Sequence, residues 1–202
     1  MPTDLNTSVI NMASLRSEVN EMVIRIGDIK ISPPTTEGAS NVFSPTPFIL
    51  TRTKWVPDSE ANFCILCNEK FTQVRRRHHC RVCGKVLCAK CCFEKIILPQ
   101  YGEEEPTRVC NACFPISNTI AQARSIQMTP RLEAAKNLAE ASGSQKGLKK
   151  LVESGGVQAI IHLAQTNISD VKEAVADGLN NLALHPPLHS MIVQCGGIKA
   201  LC

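Results

Sequence analysis

No run of about 18 apolar residues occurs in this chain of 202 residues, so none of its segments has the length of a membrane-spanning helix. The N-terminus lacks the basic segment and apolar core of a secretory signal. Aromatic residues are scarce at 4%, although apolar residues make up 44%. That balance argues against one large core and for small units with another source of stability. Cysteine supplies it. There are eleven, nine of them between Cys64 and Cys113. In a reducing compartment such a cluster reads as metal-binding rather than disulfide-bonded, and the odd total fits poorly with a closed set of disulfides.

Charge is also unevenly placed. The net charge is +4, and residues 52–113 hold eleven Lys/Arg against seven Asp/Glu, so that segment carries all of it. A basic patch confined to one small domain points to an anionic partner.

Four regions separate by composition. Over residues 1–30, Met12, Leu15, Val19, Met22, Ile26 and Ile29 alternate in spacings of three and four. The pattern predicts an amphipathic helix from about Leu5 to Ile29, compatible with a short coiled coil that would make a homodimer. Residues 31–50 include ISPPTTEGASNVFSPTP and read as a disordered linker. The cysteine-rich domain follows at 52–114, and helical periodicity takes over from Ser117.

The last region, 130–202, contains a repeat. LVESGGVQAI (Leu151 to Ile160) matches IVQCGGIKAL (Ile192 to Leu201) at an offset of 41 residues, and AAKNLA (Ala134 to Ala139) echoes GLNNLA (Gly178 to Ala183). The region resembles armadillo repeats, whose period lies in this range. The resemblance implies an all-α solenoid that recruits a protein partner. Asn137 and Asn181 match the family position that contacts the backbone of an extended peptide, with helix stabilisation as the ordinary alternative. A solenoid needs roughly three repeats to bury its faces, so a chain reaching Cys202 as a new helix begins is expected to be a truncated array.

The cysteines form four C-x-x-C pairs: Cys64/Cys67, Cys80/Cys83, Cys88/Cys91 and Cys110/Cys113. Two such pairs complete a tetrahedral zinc site closed to water, so eight thiolates predict two structural Zn2+ and no metal catalysis. Counting does not fix the pairing. The four residues between the second and third pairs suit an interleaved order, first with third and second with fourth. Cys92 is the spare thiol, with the metal placed on Cys91 by spacing.

Between the first two pairs runs Arg75-Arg76-Arg77-His78-His79-Cys80-Arg81. Arg forks fixed between zinc ligands suit phosphate oxygens. WVPD (Trp55 to Asp58), RRHHCR (Arg76 to Arg81) and RVC (Arg108 to Cys110), with the eight-cysteine spacing, resemble the FYVE zinc finger over about 60 residues. The resemblance implies an α+β cross-brace with interleaved metals and phosphatidylinositol 3-phosphate as ligand. Carried over by motif, Arg77, Arg81 and Arg108 meet the 3-phosphate and Arg76 lies near the 1-phosphate. Asp58, His78 and His79 meet the inositol hydroxyls, while Trp55 orders the N-terminal segment. The family also inserts an apolar loop, here with Gln73-Val74 at its tip. A peripheral adaptor on early endosomes follows, not an enzyme. A RING-like ubiquitin ligase is the rival, but such domains place a histidine among the ligands and have no use for the basic run. Nucleic acid is disfavoured by the acidic residue and the lack of interleaved aromatics.

Overall fold

Residues 24–31 read Ile-Arg-Ile-Gly-Asp-Ile-Lys-Ile, with isoleucines alternating on each side of Gly27-Asp28. In the computed structural model, which describes residues 23–34, 36–37 and 49–201, they form an antiparallel hairpin. Strand β1 (Ile24–Ile26) pairs with β2 (Ile29–Ile31) in the register Ile24–Ile31 and Ile26–Ile29, around Gly27-Asp28. The helix expected to reach Ile29 is therefore corrected over these residues. β-Branched side chains alternating about a Gly-Asp pair favour a hairpin over a helix whose seam they match only by the spacing of Ile26 and Ile29. The rest of that expected helix, with its coiled coil, falls on residues 1–22, outside the described residues.

The ends of the expected linker are also folded. β3 (Thr36–Glu37) pairs antiparallel with β4 (Ile49–Leu50), and Ile31 and Leu50 are buried. Apolar ends with a core within reach do not stay in solvent. Residues 35 and 38–48 of that segment lie outside the described residues.

The finger is built from two short ladders, β5 (His78–His79) with β6 (Val86–Leu87) and β7 (Glu94–Ile96) with β8 (Thr107–Val109). Single 3-10 turns at Asp58–Glu60 and Pro99–Tyr101 complete it. Its small core combines Leu50, Phe71, Val82, Val86, Leu87, Leu98, Tyr101 and Val109 with buried cysteines.

Helix α1 (Phe114–Ala123) starts directly after Cys113 and leads into the helical region. There α2 (Met128–Ser142), α3 (Gln145–Glu153) and α4 (Gly156–Ala164) are followed by α5 (Ser169–Ala183), a 3-10 turn (Pro186–Leu188), α6 (His189–Gln194) and α7 (Gly197–Leu201). The bounds of α2 recur in α5 41 residues later, and the first residue of α4 recurs in α7 at the same offset. Gly155 and Gly196, at φ 86 and 85, make the two corresponding turns. This left-handed conformation strains any residue with a Cβ. Helices α2 and α5 pack on each other, and β2 packs on α3. Ile24, Ile26 and Ile31 join the helical core beside Leu138, Leu151, Ile160 and Leu182.

Candidate zinc centres and anion site

Each metal knuckle begins as a tight turn. The N–H of Asn68 donates to the Cys64 carbonyl at 2.8 Å, and that of Gly84 to the Cys80 carbonyl at 2.9 Å. Both residues follow a C-x-x-C pair, and both have positive φ, 56 and 68. Asn and Gly are the residues that accept this conformation most readily. The turns bring Cys64, Cys67, Cys88 and Cys91 into one group and Cys80, Cys83, Cys110 and Cys113 into another, with the sulfurs of each within 4.8 Å of one another. This is the interleaved order. Cys92 belongs to neither group and is buried.

The donor sets fit zinc. Sulfurs at about 2.3 Å from a tetrahedral ion stand roughly 3.8 Å apart, and the Cys67 and Cys88 sulfurs are 3.8 Å apart. Electrostatics points the same way. Hydrogen bonds from Cys110, Cys113 and Cys83 hold the Cys80 thiol far below its ordinary value. Cys110 and Cys80 push the Cys113 thiol far up. Burial pushes the Cys64 thiol up, but backbone N–H groups of Cys88, Cys67 and Leu66 outweigh it and hold it at about 6. Within each cluster some thiolates are favoured and others opposed, and a dication lets all four ionise.

The basic run sits on this scaffold. Trp55 stacks on His79, with ring centroids 4.6 Å apart and planes 13° apart, and the Arg81 guanidinium lies 4.4 Å from the Trp55 ring centre on a cation–π contact. His79 Nε2 is 2.8 Å from the Val56 carbonyl and 3.6 Å from Asp58 Oδ1. Arg81 Nη1 donates to the His79 carbonyl at 2.8 Å, and its backbone N–H donates to the Arg108 carbonyl at 2.9 Å. Arg108 Nη1 donates to the Cys92 carbonyl at 2.6 Å. Burial lowers the His78 pKa below 6.5, and the charges of Arg108 and Arg76 lower it further. The three sequence motifs thus converge on one surface.

Arg77 is tied elsewhere: its Nε donates to the Ala61 carbonyl at 2.9 Å and its guanidinium lies over the Phe71 ring. Among the described residues, only Arg75 of the arginines from 75 to 81 makes an ion pair, with Glu69 at 3.0 Å. Arg76, Arg77, Arg81 and Arg108 have no carboxylate partner there. Gln73 and Val74 are exposed, Val74 to 94%.

Two features escaped the sequence reading. Trp55 does more than order the N-terminal segment, since its ring lies against two residues of the basic motif. Gly84 also holds that segment down: its carbonyl accepts from the Val56 N–H at 3.0 Å, and a Cβ there would lie 2.5 Å from the Lys54 carbonyl oxygen. The glycine after the second C-x-x-C pair was the available signal.

Residues 54–119 match the model of the FYVE zinc finger. Lateral signaling target protein 2 homolog of Brugia malayi is 44% identical over 79 residues, which cover 37% of this chain and 13% of that protein. Zinc finger FYVE domain-containing protein 16 of Mus musculus is 54% identical over 76 residues, 38% of this chain and 5% of that protein. Among solved structures, the LM5-1 FYVE domain from Leishmania major shares 42% identity, covering 33% of this chain and 80% of its own, with a TM-score of 0.31. The chain therefore spans only a small part of the length of these curated relatives. Residues 54–119 are a FYVE zinc finger with two structural zinc sites of four cysteines each.

Proposed function

We propose that this chain is a peripheral membrane adaptor that binds phosphatidylinositol 3-phosphate through its finger, on early endosomes, and has no catalytic role. The observation that carries the reading is a group of arginines that have no carboxylate partners among the described residues, braced between two metal knuckles. In this reading Arg81 and Arg108, with the free edge of Arg77, take the 3-phosphate, and Arg76 takes the 1-phosphate. Asp58, His78 and His79 meet the ring hydroxyls. A carboxylate there accepts hydrogen bonds from hydroxyls and repels additional phosphates. The RING-like alternative loses support because both four-residue groups are all cysteine.

Membrane attachment by one finger is modest. Burying Val74 contributes about 1.5–3 kcal/mol, and each nearby Lys/Arg about 1 kcal/mol at an anionic surface. Two fingers in a homodimer would bind with higher avidity.

The helical region would be the partner-binding arm, built from armadillo-like repeats. The 41-residue recurrence of helices and glycine turns supports this. A groove of about 760 Å³ between α2 and α5 has Leu132, Ala139 and Ala174 among its apolar residues, and Glu140, Asp170, Glu173 and Asp177 among its charged ones. Asn181 donates to Ser142 Oγ at 3.0 Å across the two helices, which favours its helix-stabilising role.

Vesicle flotation across the phosphoinositides tests the lipid assignment. Binding is expected only where a 3-phosphate is present, and Arg76→Ala, which removes a side chain with no protein partner among the described residues, is expected to weaken it about tenfold. Equal binding to phosphatidylinositol without a 3-phosphate would overturn the reading.

A further inference from the structure

In the β7–β8 ladder Lys95 stands directly opposite Arg108. Residues so paired point to the same face with Cβ atoms about 4.5–5.5 Å apart, and like charges in this position destabilise a ladder. Glu94, the adjacent carboxylate, stands opposite Val109 and so belongs to the other face. Flanking β7, Phe93 and Ile97 each lie two residues from Lys95 and are 57% and 45% exposed. Neither Lys95 nor Arg108 makes an ion pair among the described residues. Arg108 spends one N–H on the Cys92 carbonyl, and its charge acts with that of Arg76 on His78. Two cations thus face each other on the rim of a surface already in excess of positive charge.

We propose that Lys95 is a further phosphate-binding residue, its ammonium sharing with Arg108 the same phosphate of the lipid headgroup. The inference rests on the reading above that Arg108 meets the 3-phosphate. A phosphate between the two side chains converts mutual repulsion into two charge-assisted hydrogen bonds. The unliganded ladder is then less stable than it could be, and the ligand relieves it.

The test uses the full chain with Lys95→Ala and Lys95→Arg. Three quantities are read: thermal melting without ligand, calorimetric affinity for soluble inositol 1,3-bisphosphate, and flotation on vesicles containing either phosphatidylinositol 3-phosphate or phosphatidylserine. Lys95→Ala is expected to melt no lower than the unmodified chain, yet to bind both the soluble headgroup and the 3-phosphate vesicles about five- to tenfold more weakly. Lys95→Arg is expected to restore most of that loss. Unchanged headgroup affinity with weaker binding to phosphatidylserine would make Lys95 a diffuse surface charge and overturn the proposal. Lower melting with loss of zinc would overturn it too, by making the residue structural. If the unmodified chain itself ignores the 3-phosphate vesicles, the lipid reading has failed. If it binds them and Lys95→Ala binds equally, only the role of Lys95 has failed.

Discussion

His78 faces opposing demands at the single-residue scale. Burial, Arg108 and Arg76 hold its folded pKa below 6.5. Below pH 6.5 the unfolded chain therefore takes up this proton before the folded chain does. The His78 contribution to stability is complete above 6.5 and is lost as pH falls. A bound phosphate reverses the preference, because its charge favours the imidazolium. Affinity for inositol 1,3-bisphosphate is then expected to rise as pH falls, from above 6.5 toward the lowered free value. Stability without ligand is expected to drift the opposite way. Calorimetry and melting from pH 5.5 to 8 read both slopes, and His78→Gln should flatten each. Parallel slopes would remove His78 from the anion site. The individual roles of Arg77 and Trp55 were not readable from the motifs. Spacing in sequence does not reveal that Arg77 turns to the Ala61 carbonyl, or that Trp55 lies against His79 and Arg81.

At the scale of elements, the segment around Trp55 is not part of either ladder of the finger and depends on being held against the β5–β6 turn. Gly84 holds it from one side, at φ 68, with the Val56 N–H on its carbonyl. Gly84→Ala meets two penalties: left-handed strain of about 1–2 kcal/mol and a Cβ 2.5 Å from the Lys54 carbonyl oxygen. The variant is expected to keep its zinc but release the segment, with a red-shifted emission from Trp55, the sole tryptophan, and about tenfold weaker headgroup binding. Unshifted emission would mean that the segment is held by other contacts.

This scale also shows what was legible. The zinc knuckles could be read because metal chemistry fixes both residue type and spacing, and the glycine turns because few residues tolerate positive φ. The N-terminal hairpin was misread because Ile26 and Ile29 fit a helical spacing as well as a two-residue loop. What decides is the surface that Ile24, Ile26 and Ile31 bury against the helical core, a tertiary contact with no local signature.

For the whole molecule, two separate hydrophobic cores share one chain. One holds the hairpin and helices α1 to α7, and the other holds Leu50 and the finger with its cysteines. The contacts between them include Arg124 Nη1 donating to the Pro99 carbonyl at 3.0 Å and Lys150 Nζ donating to the Ala112 carbonyl at 3.5 Å. Leu50 also reaches Gly155, where an added Cβ would lie 2.5 Å from Leu50 Cδ1. Together these contacts are worth a few kcal/mol. The finger core is small and its folding depends on metal, whereas the helical core is built mainly of apolar side chains. A strong zinc chelator is therefore expected to unfold the finger, shift Trp55 emission and abolish headgroup binding. Helical circular dichroism should keep most of its amplitude and melt several degrees lower, because the contacts from the finger are gone. Collapse of the helical signal in step with zinc release would instead mean one cooperative unit. In that case the α2–α5 groove would depend on the same metals that brace the anion site.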